Sequence, residues 1–205
     1  MDNKLIYLAR HGDIGLGNDR RYIGRSDMPL SDLGKKQAIL LKEKFCRVTL
    51  DNIYCSDLER SQQTAEIIAS AHKIIPVARV ELRELNMGTW EGELFSTIRA
   101  KHPQEFKKRG ENIVHYRLPG GESFSDCSDR VSPVFESLAQ SDETTILIIG
   151  HASVNRVILC RVLGIPLDNI FRLEQSYGCL NLICKKGSEY RLKFLNHISL
   201  DDVTF

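Results

Sequence analysis

The sequence predicts an α/β protein built as a three-layer α/β/α sandwich, with a mostly parallel central sheet and one antiparallel strand late in the chain. Three observations carry this expectation. Short, near-continuous apolar runs alternate with segments whose apolar residues repeat at helical spacing. The runs lack the in-out alternation of a one-sided sheet, as expected of parallel strands covered on both faces. The two longest runs each stop at a histidine-bearing turn, where the chain must leave the sheet.

The elements follow in order. Lys4-Leu5-Ile6-Tyr7-Leu8-Ala9 reads as the first strand and stops at Arg10-His11-Gly12. Ser31 can cap a helix that carries Ala38, Leu41 and Phe45 on one face. Ile53-Tyr54-Cys55 is a shorter strand running into Ser56-Asp57-Leu58-Glu59. This Ser-x-x-Glu capping box predicts a helix through about Ala71, with Arg60 in its first turn. Between Asn86 and Ser123 the periodicity weakens under Pro103, Gly110, Pro119, Gly120 and Gly121. That stretch, at about 86–123, is expected to be a small helical lid inserted into a single domain spanning residues 1–205. Val131, Val134, Phe135 and Leu138 mark a further helix, which Pro133 should kink or delay. Thr144 to Ile149 is the second long strand and stops at Gly150-His151. Val154, Val157, Ile158 and Arg161 then repeat at helical spacing until Gly164 and Pro166 end them. Cys179 to Cys184 and Tyr190 to Leu195 flank Lys185-Lys186-Gly187-Ser188 as a late hairpin.

The 205 residues, 42% hydrophobic and 27% charged, have ordinary globular composition, which excludes a disordered or collagen-like chain. A chain of this mass buries roughly 71% of its unfolded surface, enough for one sizeable core. Lys+Arg 28 against Asp+Glu 27 leaves a formal net charge of +1, so no bulk field gathers nucleic acid or an anionic membrane. Any bound anion must be held by a local pocket. The cysteines form no Cys-x-x-Cys pair and sit mostly in apolar runs, which fits a reducing, cytoplasmic setting. The apolar stretch Leu5 to Ala9 is too short for a signal peptide, and no run approaches a membrane span.

Three strand ends carry the chemistry: Arg10-His11-Gly12, Cys55-Ser56 followed by Arg60, and Gly150-His151. Ligands of open α/β sheets bind outside the carboxyl ends of the strands, where helix N-termini add N–H groups and partial positive charge. Two guanidinium forks beside two imidazoles suit a tetrahedral dianion such as phosphate. Taken singly, each residue has a plainer reading: His11 as a satisfied strand-end histidine, Arg60 as a solvated helix arginine. Gly12, Gly15 and Gly17 do not form a nucleotide-binding loop, because their spacing is wrong and a polar stretch follows them.

Leu8-Ala9-Arg10-His11-Gly12 resembles the signature of the histidine phosphatase superfamily, whose fold is phosphoglycerate mutase-like. The rest of the chain follows that pattern in order. Tyr22-Ile23-Gly24 with Asp27-Met28-Pro29-Leu30-Ser31 resembles the loop after the nucleophile. Ser56-Asp57-Leu58-Glu59-Arg60-Ser61 resembles the segment with the second phosphate-binding arginine, and Leu82-Arg83-Glu84-Leu85 the segment with the acid. Pro119-Gly120-Gly121-Glu122-Ser123, Arg130-Val131 and Gly150-His151 complete the set, over roughly residues 4 to 185.

The resemblance implies His11 as a nucleophile that attacks phosphorus through one ring nitrogen while a backbone carbonyl holds the other N–H. It implies Arg10, Arg60, His151 and Gly24 as substrate-binding residues, the first three around the phosphoryl oxygens. It implies Glu84, chosen by the motif over Glu81, Glu91 and Glu93, as the group that protonates the leaving oxygen and then activates water. No metal and no cofactor are implied. A contact from His115-Tyr116-Arg117 on the lid to the substrate is a further expectation. The chain departs from the family at Asp13, Ile14 and Gly17, and Asn18 stands one position late, so the usual hydroxyl and amide contacts near the phosphate are not implied.

Three functions are compatible with this set: a phosphatase for a small phosphomonoester, a cofactor-dependent phosphoglycerate mutase, and a non-catalytic phosphate-binding module. Retention of His11, Arg10, Arg60, Glu84 and His151 together disfavours the last. A short lid leaves water access, which favours hydrolysis over transfer. The segments Gly150 to Arg156 and Leu173 to Asn181 resemble the α-ribazole phosphatase branch, which implies α-ribazole 5'-phosphate of cobalamin synthesis as a candidate substrate. The oligomeric state is left open, a homodimer included.

Overall fold

The computed structural model describes residues 3–17 and 19–198. Asn18 lies outside the described residues. The elements are β1 (Lys4–Arg10), α1 (Asp32–Phe45), β2 (Asn52–Cys55), α2 (Glu59–Ala69), β3 (Val77–Ala78), α3 (Phe95–Lys101), α4 (Pro103–Glu111), α5 (Phe124–Gln140), β4 (Thr145–Gly150), α6 (Ala152–Leu163), β5 (Leu180–Lys186) and β6 (Glu189–His197). Short 3-10 turns at Val80–Leu82, Gly88–Trp90 and Leu167–Arg172 link them.

One six-stranded sheet runs in the order β3-β2-β4-β1-β5-β6. β1 to β4 pair in parallel, and β5 runs antiparallel to both β1 and β6, so it is the strand set against the others. The central strands are buried on both faces, and successive residues feed opposite layers. Ile6, Leu8, Ile146 and Ile148 pack with Val131 and Phe135 of α5 and Val157 and Ile158 of α6. Ala9, Ile53, Leu147 and Ile149 pack with Leu41 and Phe45 of α1 and Ala65 and Ile68 of α2. These are the three layers expected from the sequence.

Two helix starts differ from expectation. α2 begins at Glu59 with Leu58 at its cap position and no capping side chain, and it ends at Ala69. Ser56 stands two residues before that cap position, where its Oγ accepts from the Leu58 N–H at 3.3 Å and lies 2.6 Å from Nε2 of His151. α5 starts earlier than its apolar spacing suggested, at a capping box in which Ser123 and Asp126 satisfy each other's backbone N–H groups. Pro133 stands inside this helix on its exposed side. The carbonyl it leaves without a donor belongs to Asp129, also exposed, so water can take that bond while Phe124, Cys127, Val131 and Phe135 hold the buried face.

The cysteines are all free thiols. No helix among the described residues is long and apolar enough to cross a membrane.

Candidate active site

The register of the two central strands builds the site. Arg10 pairs with Gly150 across β1 and β4, and the His11 N–H donates to the Gly150 carbonyl at 3.2 Å. His11 and His151 therefore leave the sheet side by side, with ring centroids 5.0 Å apart. Gly12 can turn the chain here because it has no Cβ: one would lie 2.4 Å from the carbonyl oxygen of Gly34 at the start of α1.

His11 is 3% exposed and its Nδ1 lies 2.7 Å from the Gly12 carbonyl, which assigns the proton to Nδ1. Nε2 makes no hydrogen bond with the described residues. Burial, then the charges of Arg10 and Arg60, push the ring's pKa well below the ordinary histidine value, so it is neutral at neutral pH. His151 is fully buried, and burial followed by His11 and Arg60 pushes its pKa down in the same direction. Ser56 Oγ accepts from the Leu58 N–H at 3.3 Å and has its own proton for Nε2 of His151. The complementary tautomer leaves Nδ1–H of His151 as a buried donor with no partner.

The two arginines are held by carbonyls rather than by carboxylates. Arg10 donates from Nη1 to the Gln175 carbonyl at 2.6 Å, and its guanidinium carbon lies 3.7 Å above the Tyr177 ring. Arg60 is 1% exposed and donates to the carbonyls of Ser26 and Gly24, each at 2.7 Å. Nε of each arginine is buried without a partner. Two guanidinia and an imidazole N–H, all carrying unmatched donors, form a local cationic centre that an oxyanion's lone pairs can satisfy.

Gly24, expected to bind substrate, has both backbone groups engaged within the chain. Its N–H donates to Glu91 at 2.8 Å and its carbonyl receives Arg60. Its part is to hold Arg60, and it must be glycine because a Cβ would meet the Leu85 carbonyl at 2.3 Å.

Glu84 is 6% exposed. One carboxylate oxygen accepts from the Leu85 N–H at 2.7 Å, the other from the Ser153 N–H at 3.2 Å, at the N-terminus of α6. The helix that begins after His151 therefore also holds Glu84. Arg130 steadies the same segment: it donates to the carbonyls of Glu81 and Arg83 and pairs with Glu122 at 2.8 Å.

This arrangement, one neutral imidazole with a free nitrogen beside two guanidinia, a second imidazole and a buried carboxyl, can carry a phosphoryl group on nitrogen and move one proton. The sequence pattern of the Histidine phosphatase superfamily (branch 1) matches residues 6–198. The chain belongs to the histidine phosphatase superfamily.

Within that superfamily, the chain is 33% identical to phosphoserine phosphatase 1 of Hydrogenobacter thermophilus over 179 residues, 87% of this chain and 82% of that one. It is also 33% identical to a protein of Serratia proteamaculans named as a probable phosphoglycerate mutase, GpmB, over 78% of this chain and 75% of that one. The crystal structure of the alpha-ribazole phosphatase from Shigella flexneri superposes with a TM-score of 0.86 at 27% identity, covering 97% of this chain and 100% of that chain.

A cavity of about 660 Å³ opens over this histidine phosphatase centre, with Arg10, Glu84, Ser153 and Tyr177 on its floor and sides. Exposed Gly17, Asp19 and Arg20 form part of its mouth. Of the family departures, Asp13 serves the loop: its carboxylate accepts from the Ser31 hydroxyl at 2.6 Å and the Gly15 N–H at 2.8 Å. His115, Tyr116 and Arg117 do not line the cavity, and Arg117 pairs with Asp126 instead. Arg109, earlier in the same segment, takes the wall position.

Sequence reasoning missed Tyr177, which props Arg10 from a loop far along the chain, and the pairing of Ser56 with His151. It also missed Arg156. Here a signal existed: Ala152, Ser153 and Arg156 share one face of α6, the face that carries the site.

Proposed function

We propose that this protein is a phosphomonoesterase that hydrolyses a small phosphorylated metabolite through a phosphohistidine on His11. The observation that carries the reading is the state of His11: neutral, pinned through Nδ1 to a carbonyl, with Nε2 free beside Arg10 and Arg60. In the first step Nε2 attacks phosphorus and the ester P–O bond breaks. Arg10, Arg60 and the Nδ1–H of His151 stabilise the charge on the phosphoryl oxygens, and Glu84 in its protonated form gives the leaving oxygen its proton. In the second, the Glu84 carboxylate takes a proton from water, the water oxygen attacks phosphorus, and the P–N bond breaks. Inorganic phosphate and the original enzyme result.

Residues 86–123, with α3 and α4, act as a lid on a single catalytic domain. The cavity's exposed mouth, formed in part by Gly17, Asp19 and Arg20, admits the water of the second step, which favours hydrolysis over return of the group to substrate. The likeness to the Serratia protein keeps mutase chemistry as a second reading. α-Ribazole 5'-phosphate is a substrate candidate through the Shigella structure, and phosphoserine through the Hydrogenobacter relative.

The test is phosphate release from p-nitrophenyl phosphate, α-ribazole 5'-phosphate and 3-phosphoglycerate, with His11→Ala as control. Release that survives in His11→Ala overturns the nucleophile, and interconversion of phosphoglycerates without release supports the mutase. An acid-labile phosphoryl adduct on the intact protein is the expected intermediate.

A further inference from the structure

The cavity above the reaction centre contains more positive charge than one phosphoryl group needs. Arg156 enters it from α6 and Arg109 from α4, so one comes from the core and one from the segment over the site. Both are half-buried, and neither has a carboxylate within ion-pair distance among the described residues.

Each is held in place by neutral groups rather than by an ion pair. Arg156 donates from Nε to the Leu173 carbonyl at 2.7 Å, and its guanidinium carbon lies 5.7 Å from the Phe171 ring. The guanidinium carbon of Arg109 lies 5.7 Å from the Tyr22 ring and 5.9 Å from the Trp90 ring. Burial pushes the pKa of both downward, which is the cost of drawing a cation out of water. A protein that needed these side chains only for packing could use an uncharged side chain of similar length without that cost. Arg156 shares the cavity wall with Glu84 and Arg10 and lies within reach of their charges.

We propose that Arg109 and Arg156 form a second oxyanion site for the leaving group, so that the preferred substrates are phosphomonoesters with a further carboxylate or phosphate on the released part. Glu84 is held by the Ser153 N–H, and Arg156 lies one turn further along α6 on the wall of the same cavity as Arg109 of α4; in this reading the two guanidinia meet the part of the substrate beyond the ester oxygen. A guanidinium fork accepts either oxyanion bidentately, so carboxylate and phosphate share the site's chemistry. This inference rests on the phosphatase reading above and narrows it.

The experiment compares kcat/KM for phosphoserine and fructose 1,6-bisphosphate, whose leaving groups carry a second anion, with that for α-ribazole 5'-phosphate and p-nitrophenyl phosphate, whose leaving groups carry none. Wild type is expected to favour an anionic leaving group by about ten- to a hundredfold over α-ribazole 5'-phosphate, the range of a charge-assisted hydrogen bond pair. Preference for phosphoserine identifies carboxylate as the second anion, and preference for the bisphosphate identifies phosphate. In Arg156→Met and Arg109→Met, which keep length and apolar contact, that ratio is expected to fall toward one, with the ratio partly kept in the Lys variants. Equal or better turnover of α-ribazole 5'-phosphate by wild type overturns the proposal, as does an unchanged ratio in both Met variants. If no ester at all is hydrolysed, the phosphatase reading fails first, and p-nitrophenyl phosphate reports that separately.

Discussion

The Ser56 hydroxyl lies 2.6 Å from Nε2 of His151. It joins the turn after β2 to the turn after β4, two adjacent parallel strands. Through it a residue that does not line the cavity favours the ring tautomer that presents Nδ1–H. Ser56→Ala is expected to lower kcat/KM about tenfold, the worth of one hydrogen bond of this kind, and Ser56→Thr to restore part of it. Steady-state kinetics with unchanged values for Ser56→Ala would show that the tautomer is set by something else.

The pH behaviour follows from two histidines held well below their ordinary pKa. The nucleophile must be neutral, so the acid limb of kcat/KM that reports it should fall well below pH 6.5. Arg60→Met removes one of the charges that depress His11, so the limb should move to higher pH. In stability the sign is the same for both rings: between the folded pKa and about 6.5 the unfolded chain binds more protons. Their contribution is complete above that value and is lost as pH falls from it toward the folded pKa. Tm is expected to drop as the pH is lowered from neutrality through that window, and less steeply in His151→Asn.

Glu84→Gln removes the proton donor while keeping shape. Turnover of alkyl phosphates is expected to fall by about 10²–10⁴. With p-nitrophenyl phosphate, whose leaving group needs no proton, a burst of nitrophenol should remain and phosphohistidine should accumulate. Stopped-flow absorbance reads the burst. Its absence would move the acid role away from Glu84.

Arg130 and Glu122 are 18% and 17% exposed at the side chain and share a 2.8 Å contact. Together they hold the carbonyls of Glu81 and Arg83, which precede Glu84, and the N–H of Asn86. Arg130→Met is expected to destabilise the fold by about 2–3 kcal/mol, below the cost of breaking a fully buried pair. It should also lower kcat, because Glu84 loses its fixed position. Chemical denaturation and steady-state kinetics measure the two effects.

Much of the architecture is legible in the chain itself. Lys4 to Ala9 and Thr144 to Ile149 can only be strands covered on both faces, and the helical spacing between them leaves few other topologies. Side-chain partners are not legible in the same way. The Ser56-to-Glu59 spacing reads as a helix cap because local sequence contains no information about His151, ninety-five residues away. Nor does local sequence show that Glu91 and Arg60 occupy the two backbone groups of Gly24.

The sequence by itself determined the layers and the strand ends, since burial and turn chemistry are local and periodic properties, and its resemblance to a family singled out the candidate reacting residues. Only the tertiary structure decided which donors remain unmatched, which ring nitrogens of the two histidines are engaged, and which further arginines line the cavity. Those depend on the register that sets Arg10 opposite Gly150 and on the approach of α4 to α6, distances that sequence spacing does not contain.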